Sequence, residues 1–365
     1  MTVANPVSGA RYAWIDVAKG FCITFIVFGH VVHSDMLAAV GGGGGWNELV
    51  RAFAPLRIPL FLFVSGYLAH SSMNRPLTSS FAKTGGLYAL YVFWEVAFHV
   101  LQTMTQVVLD GARLDPIAWL SHVLGAVLLP QTLWYIWALP AYYLLSWWAR
   151  RRFGERAAYA AIPLALLTIL VPFVSLHPDG WVHFGETSLA PVLANALWFH
   201  LGLYGRDSWE TLLTRASGLT FGLSALFYAT TYLVARLSGA DAYALIILAP
   251  IALLMATQCL GWADLQGRTA RVLSRIGQLT LPVYVMHLFA LSVLTAITKT
   301  AWSTAAATSM PLTYLLIIPP LATALLVWAC RLVGRIILAS PLRPILEPMR
   351  WPGRVEGKAT APSGA

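Results

Sequence analysis

Charged residues are scarce in this sequence: they occupy 11% of its 365 positions, while hydrophobic residues occupy 58% and the mean hydropathy is +0.68. A chain of this composition would expose large apolar areas if it folded as a water-soluble globule, so we expect a polytopic membrane protein. The net charge is +9, but Lys and Arg occur in short clusters between apolar runs. That pattern indicates membrane topology and gives no sign of nucleic-acid binding.

Several catalytic and metal-binding signatures are also missing. The three cysteines, Cys22, Cys259 and Cys330, lie in apolar runs without CxxC spacing, so neither a disulfide framework nor a metal site is indicated. The motifs HExxH and GxSxG, a Walker loop and GxGxxG in a strand–turn–helix context do not occur, which leaves zinc, serine-hydrolase and nucleotide-triphosphate chemistry without a positive sign. No cleavable signal is expected, because the first apolar run is too long and no A-x-A site follows it. The remaining weak motifs favour acyl or proton chemistry in a membrane pocket.

Long apolar runs are what the sequence does contain, and they predict an all-α bundle of about ten transmembrane helices. A shorter run at 117–129, of about 13 residues, is predicted to be re-entrant or interfacial. We expect one membrane domain over residues 1–338 and a disordered cytoplasmic tail over 339–365. The predicted spans are 19–38, 52–70, 86–108, 132–149, 157–175, 188–204, 216–236, 242–261, 278–298 and 312–334.

The distribution of basic residues supports this count independently of hydropathy. With ten spans, 19 of the 24 Lys and Arg residues fall on one side. The positive-inside rule then predicts that both termini are cytoplasmic. If the short run also spanned, the rule would fail from residue 150 onwards.

The first apolar segment has a charged start and carries a histidine. Lys19 and His30 are eleven residues apart, which is about 16 Å along a helix and about half of a hydrocarbon core of roughly 30 Å. We therefore expect His30 in the middle of the first span and near mid-membrane, where an ionisable side chain is costly and is by default functional. The alternative is a histidine that only bonds a neighbouring helix. Asp16 is predicted to orient Lys19, or to be a plain carboxylate at a helix start.

Three further groups of polar residues lie in predicted spans. Arg57 either snorkels to the lipid headgroups or turns inward to present donors to a carbonyl or carboxylate. Glu95 and His99 are four residues apart and share a helix face, either as an orienting pair or as a neutralised structural pair. Tyr284 and His287 are three residues apart, which predicts a second buried histidine.

Four segments, in order, resemble the membrane-bound acyltransferase 3 family, particularly its fucose 4-O-acetylase-like O-acetyltransferase branch. WIDVAKGFCITFIVFGH (14–30) resembles the first-helix pattern of a basic residue followed by histidine. IPLFLFVSGYLA (58–69) resembles the second-helix PLFFxxSGY signature, LWYIWAL (133–139) is similar to an aromatic LWFL segment, and LPVYVMH (281–287) to a late Tyr-x-x-His. Arg57-Ile58 stand where close relatives often carry His-Met.

The resemblance implies a bacterial inner-membrane enzyme with no permanently bound cofactor. It takes an acyl group, usually acetyl, from cytoplasmic acyl-CoA and places it on a hydroxyl of a glycan, a lipid-linked saccharide or another envelope acceptor. His30 is expected to act as general base or as transient acyl carrier, and Lys19, with Arg75 or Lys83, to hold the CoA phosphates. The other candidate residues are Glu95 and His287 in catalysis, and Arg57, Ser65, Gly66, Tyr67, Trp134 and Tyr284 in binding.

Two other functions compete with the acyltransferase interpretation. A proton-coupled secondary transporter would use His30, Glu95 and His287 as a relay, although the two halves of the chain show no internal repeat of the kind that many transporters have. A catalytically idle subunit of a glycan export system is the other. Neither the acceptor nor the formation of a homo-oligomer follows from the sequence.

Overall fold

A computed structural model describes residues 13–38, 45–109, 111, 113–175, 183–184, 187–239, 241–302 and 312–347. Within these ranges the chain is helical except for turns, short connections and one antiparallel pair of two-residue strands, β1 (His183–Phe184) and β2 (Thr187–Ser188). Two short 3-10 helices cover Gly154–Ala160 and Arg343–Ile345. The α-helices are α1 (Ala13–Val32), α2 (Asp35–Ala38), α3 (Trp46–His70), α4 (Leu77–Leu109), α5 (Pro116–Leu128), α6 (Trp134–Phe153), α7 (Ala161–Ser175), α8 (Ala190–Tyr204), α9 (Arg206–Thr214), α10 (Gly218–Leu237), α11 (Asp241–Trp262), α12 (Arg268–Gly277), α13 (Thr280–Trp302) and α14 (Leu312–Leu338).

Helix lengths and composition confirm an all-α, multi-pass membrane fold. Each of the ten predicted spans overlaps a helix, although the bounds differ. The short apolar run forms α5, which has only 13 residues. In the described part of the chain six helical segments are long and apolar enough to cross a membrane: Ala13–Val32, Trp46–His70, Trp134–Val171, Gly218–Leu237, Thr280–Thr298 and Leu316–Leu338.

The first helix begins and ends earlier than predicted. It runs from Ala13 to Val32 in place of 19–38, and it stops in a turn where the Ser34 hydroxyl donates to the Val31 carbonyl at 2.7 Å. His30 therefore lies in the last turn of α1, and the expectation that it sits in the middle of this helix is wrong. A serine whose hydroxyl bonds a preceding backbone carbonyl competes with continuation of the helix. Hydropathy does not detect this effect in an otherwise apolar run.

Two pairs of glycines let helices approach closely. A Cβ atom on Gly66 would lie 1.9 Å from the Phe199 carbonyl oxygen, and one on Gly202 would lie 1.9 Å from the Phe63 carbonyl oxygen. Small residues of this kind allow backbone contact between membrane helices. The α3–α8 interface is therefore a backbone-to-backbone contact. Gly20 and Gly277 make the same kind of contact between α1 and α12.

The helix ends that carry the clustered basic residues meet at one end of the bundle, which we call the basic face. The Arg151 guanidinium donates to the Arg75 carbonyl at 3.1 Å, joining the end of α6 to the α3–α4 turn. The Tyr67 hydroxyl donates to Glu210 Oε1 at 2.5 Å, and the Trp14 and Tyr67 rings lie 5.1 Å apart, joining the start of α1, the end of α3 and α9. The start of α1, the ends of α3 and α6, and α9 therefore lie at the same end of the bundle.

The chain beyond α14 is folded for nine residues past the predicted domain boundary at 338. Leu346 is 2% exposed, and the Trp94 indole donates to the Ile345 carbonyl at 2.7 Å. Residues 339–347 therefore pack against α4. The remainder of the predicted tail, 348–365, lies outside the described residues.

Candidate functional site

Two histidines, one from α1 and one from α13, meet inside the bundle. The ring centroids of His30 and His287 are 5.2 Å apart, with 47° between the ring planes. His287 is 2% exposed, whereas the His30 side chain is exposed although protein surrounds it closely. His30 is therefore the accessible ring of the pair, and His287 is the buried one.

The neighbours of His30 place it deep in the bundle even though it ends its own helix. His287 is the eighth residue of the 23-residue α13, about 10 Å along that helix from its start. Arg57, which interacts electrostatically with His30, is the twelfth residue of the 25-residue α3. The C-terminal end of α1 therefore reaches the interior of its neighbours and does not stop at a bundle surface.

The hydrogen bonds of His287 determine its tautomer. Its Nδ1 lies 2.7 Å from the Tyr284 carbonyl oxygen and 3.2 Å from that of Val283. A carbonyl oxygen only accepts, so the neutral ring carries its proton on Nδ1 and leaves a lone pair on Nε2. This Nε2 atom is buried and has no hydrogen-bond partner among the residues that the structure describes. A buried polar atom without a partner is uncommon in native structures and points to a missing donor.

Arg57 turns inward and does not snorkel. Its guanidinium donates to the Phe25 carbonyl of α1 at 3.3 Å, and the side chain is only partly exposed. The glycine one residue before His30 makes room for it: a Cβ on Gly29 would lie 2.2 Å from Arg57 Nη1. A permanent cation with a fork of donors is thus held against α1 beside His30.

A line of hydroxyl and aromatic side chains leads from His287 toward the end of α3 at the basic face. Tyr284 lies 5.8 Å from His287 and 5.4 Å from Tyr135, measured between ring centroids. The Tyr135 and Ser65 hydroxyls are 2.6 Å apart, and Ser65 also donates to the Phe61 carbonyl at 2.9 Å. Ser65 and Tyr284, predicted from separate motifs, are therefore joined by Tyr135.

Tyr135 is the residue of this line that sequence reasoning missed. Within the aromatic segment the sequence analysis predicts Trp134 as a binding residue. In the structure Trp134 is partly buried and lies beside Tyr135, with ring centroids 6.4 Å apart. Tyr135 is 8% exposed and stacks on Phe61 at 4.7 Å. The signal that could have found it is its hydroxyl, which a buried tyrosine must satisfy.

Glu95 holds a connection between helices. Its carboxylate is fully buried and accepts hydrogen bonds from the backbone N–H of Thr132 at 3.2 Å and of Leu133 at 3.0 Å, where α6 begins. His99 lies 3.7 Å from the same carboxylate, and its Nε2 bonds Gln131 Oε1 at 2.9 Å. The predicted Glu95–His99 pair exists, and both members bind the segment before α6.

The candidate donor-binding residues lie at the basic face. Lys19 and Asp16 are in the first half of α1; Asp16 is 3% exposed, Lys19 is partly buried, and both side chains have partners. Arg75 is exposed in the α3–α4 turn, where its carbonyl also accepts from the Trp147 indole at 3.1 Å. The side chain of Lys83, in the first part of α4, lies outside the described residues.

Gly66 and Tyr67 have contacts that account for them without a ligand. Gly66 is needed for the close backbone contact between α3 and α8. The Tyr67 hydroxyl bonds Glu210, and the Arg206 guanidinium lies 4.9 Å above its ring. Outside the membrane spans, the Tyr67 hydrogen bond and then Arg206 hold the pKa of Glu210 below its usual value.

Comparison with known proteins assigns the family. Searches of curated proteins and of solved structures found no match. The family model Acyl_transf_3, described as an acyltransferase domain, matches residues 12–331, which extend from the start of α1 nearly to the end of α14 and include His30, Arg57 and His287. A match over this much of the chain shows that the protein is a membrane acyltransferase and belongs to the acyltransferase 3 family.

Proposed function

We propose that this protein is an O-acyltransferase that moves an acyl group, acetyl in the first instance, from acyl-CoA to a hydroxyl of a glycan or another envelope acceptor. The observation that carries the proposal is the meeting of His30, His287 and Arg57 inside the bundle of an acyltransferase family member. In this constellation one ring is open to a substrate, a second ring stands behind it and a cation lies beside it. Acyl transfer requires a base and a stabiliser of oxyanion charge.

The chemistry follows from the geometry of the two rings. His30, the accessible ring, takes the proton of the acceptor hydroxyl as that oxygen attacks the thioester carbonyl carbon. The carbon–sulfur bond breaks, and the CoA thiolate leaves and is then protonated. His287 Nε2, a lone pair without a partner, is suited to accept the N–H of His30 and so to orient it, as a second group orients the base in hydrolase triads.

Arg57 supplies positive charge beside the reacting centre. Its donors are held by α1 next to His30, where they can bond the oxygen that becomes negative when the thioester carbonyl is attacked. Donors that are already in place cost no reorganisation during the reaction. This role gives the inward orientation of Arg57 a purpose that snorkelling would not.

The donor is proposed to approach from the basic face, which we place in the cytoplasm of a bacterial inner-membrane protein with both termini inside. Lys19 and His30 share one face of α1, since eleven residues are close to three turns. Three side chains on or beside that face, Cys22, Ile23 and Ile26, are at most 8% exposed. A thioester that travels along this face must therefore part packed side chains, whereas the acceptor reaches His30 from its open side.

A proton-coupled transporter gains no support from the structure. Its proposed relay includes Glu95, but that carboxylate is fully buried and is occupied by backbone N–H groups of the α5–α6 connection. A group that caps a helix start has a structural role whether or not protons move.

The test uses purified protein in liposomes with acetyl-CoA. His30→Ala should lower the rate of CoA release in the presence of acceptor by two to four orders of magnitude, the usual value of a general base. His122→Ala, which removes an exposed imidazole from α5, is the matched control and should retain the wild-type rate. A fully active His30→Ala variant would discard the proposal.

The acceptor and the role of His30 need two further measurements. Mass spectrometry of surface glycans from cells with and without the protein identifies an acceptor that gains 42 mass units per acetyl group, on the order expected for acylation. Rapid quenching followed by peptide mapping separates the two roles of His30. An acylated His30 would make it the acyl carrier and would replace the general-base step.

A further inference from the structure

An apolar groove lies between α1, α12, α14 and the start of α3, which contributes Trp46 and Leu49, on a different side of α1 from the histidines. It encloses about 470 Å³ and is lined mainly by Phe25 and Phe28 of α1, Val272 and Ile276 of α12, and Val327 of α14. This volume falls in the range of about 300–1,000 Å³ that is typical of ligand sites. The groove is large enough for one chain-like ligand.

The two hydroxyl groups of the lining are used within their own helices. The Thr24 hydroxyl donates to the Gly20 carbonyl at 2.7 Å, and the Thr323 hydroxyl donates to the Pro319 carbonyl at 2.8 Å. Neither hydroxyl needs a ligand partner, so the walls of the groove are apolar for most of their length. A hydrocarbon chain fits these walls better than a sugar or a nucleotide does.

The groove is open on the side where membrane lipid would lie. Among its lining residues Val272 and Trp328 are 50% and 59% exposed, and they belong to the apolar outer surface of α12 and α14. Along α14 the lining extends from Pro320 to Arg331, eleven residues or about 16 Å. This is about half of a hydrocarbon core of roughly 30 Å, which is the depth of one leaflet.

Positive charge is concentrated where the groove reaches the basic face. Arg331 lines that end, and its Nε atom is buried without a hydrogen-bond partner in the described part of the chain. Arg335 and Arg275 are close enough to interact with it electrostatically. None of these three arginines forms an ion pair with a residue in the described ranges. Arginines brought together without carboxylates favour the binding of an anion such as a phosphate, with which they form charge-assisted hydrogen bonds.

The third element of the groove is an interfacial helix. In α12, Arg268, Arg271 and Arg275 lie three and four residues apart and share one face, while Val272 and Ile276 point into the groove. Arginines on one face and apolar residues on the other are typical of helices that lie on anionic membrane surfaces. Close packing of Gly20 and Gly277 holds this helix against α1.

From these observations we infer that the groove is a binding site for one anionic phospholipid of the leaflet at the basic face. Its acyl chain lies between α1, α12 and α14, and its phosphate is bound by Arg331 with Arg275 and Arg335. This site is separate from the acyl-transfer site, because α1 stands between the two. The inference therefore does not depend on the proposed function.

The test measures lipid retention by the purified full-length protein in native mass spectrometry. Phosphatidylglycerol and phosphatidylcholine with the same acyl chains are the two probes, and wild type should retain the anionic lipid preferentially. Arg331→Gln should weaken phosphatidylglycerol binding about fivefold to tenfold, the effect of one basic residue or one charge-assisted hydrogen bond to a phosphate. Arg215→Gln removes an exposed arginine from the same face outside the groove and should leave retention unchanged.

A second variant tests the position of the chain. Ala324→Trp fills the groove and should abolish the preference for phosphatidylglycerol, while Leu321→Trp adds the same ring at an exposed α14 position outside the lining and should not. If Ala324→Trp is unstable, fluorescence replaces it: acyl-brominated phosphatidylglycerol should quench wild type more than brominated phosphatidylcholine does. Because Trp46 also lines the groove, the comparison is made in a Trp46→Phe background, where Trp328→Phe should remove that difference.

Three results would overturn the inference. The first is equal retention of both lipids by wild type, and the second is loss of binding in Arg331→Gln with no effect of either the filled groove or Trp328→Phe. The third is displacement of the bound lipid by coenzyme A, which would assign these arginines to the donor instead. The His30→Ala variant should retain lipid like wild type, so failure of the lipid site and failure of the acyltransferase proposal are distinguishable.

Discussion

Gly29→Ala is a way to move Arg57 without removing it. The Cβ of the new alanine would lie 2.2 Å from Arg57 Nη1, and the next nearest contact that is not part of Arg57 is a Val50 methyl carbon at 3.5 Å. The only severe clash is thus with the end of a long, flexible side chain. The backbone of α1 and α3 can stay in place while the guanidinium gives way.

The size of the displacement follows from the contact distances. To restore an ordinary separation of about 3.4 Å from the present 2.2 Å, Nη1 must move by about 1.2 Å, which breaks its 3.3 Å hydrogen bond to the Phe25 carbonyl. A misplacement of about 1 Å in a catalytic constellation can cost about 100-fold in rate. Stability should not fall, because alanine is favoured over glycine in a helix by up to about 1 kcal/mol.

Two measurements on the same purified preparation check this. The rate of acceptor-dependent CoA release should fall about 100-fold, and the melting temperature should stay at or above that of wild type. Gly222→Ala is the matched control, since a Cβ at that helical position meets nothing within 4 Å. It should leave both quantities unchanged or raise the melting temperature slightly.

A double-mutant cycle shows whether the effect passes through Arg57. If it does, Gly29→Ala should add nothing to the loss caused by Arg57→Ala, because the group it displaces is already gone. Wild-type activity in Gly29→Ala would refute the role of Arg57 in catalysis. An additive loss in the double variant would show that the methyl group acts on His30 or on the acceptor directly.

Four further variants test the roles of candidate residues at helix contacts and at the basic face. Gly66→Ala places a Cβ 1.9 Å from a rigid backbone carbonyl and should destabilise the protein by about 1–3 kcal/mol in thermal unfolding; wild-type stability with weakened substrate binding would point to ligand approach instead. Glu95→Ala should cost about 1–3 kcal/mol for each backbone N–H left unpaired, and Glu95→Gln, which keeps an acceptor, much less; equal stability with loss of activity in both would return Glu95 to the chemistry. The folded-state pKa of Glu210 is lowered, so its hydrogen bond with Tyr67 stabilises α9 at pH values above the unfolded pKa of about 4.5, and this stabilisation is lost as pH falls through the folded pKa. The higher melting temperature of wild type relative to Tyr67→Phe should therefore disappear on acidification. A difference in melting temperature that does not change with pH would contradict this.

The sequence predicted the membrane class, the positions of the helices and the placement of His30 and His287 in apolar helices, because these features depend on local properties of the chain. Composition excludes a water-soluble fold, and long apolar runs mark helices whatever they pack against. Boundaries were less predictable. The end of α1 at Val32 depends on a turn at His33 and Ser34 within a run that is apolar on both sides, and hydropathy does not detect it.

The roles of several candidate residues depended on partners that are distant in the chain. Glu95 and its neighbour His99 read equally well as a catalytic or a structural pair until Thr132 and Leu133, 37 and 38 residues after Glu95, were seen to bond its carboxylate. Arg57 read equally well as snorkelling or inward until α1 was seen to receive it at Phe25.

By itself the sequence determined that this chain crosses a membrane many times, that it carries the acyltransferase motifs, and that His30 and His287 lie in apolar helices. Only the tertiary structure decided that these two rings meet, that Arg57 stands beside them, and that an apolar groove on the other side of α1 ends at arginines with no ion pair in the described ranges. The physical reason is that hydropathy and helix periodicity are properties of neighbours along the chain. Which helix faces come together is decided by close packing at residues such as Gly66 and Gly277, whose contacts lie in other segments.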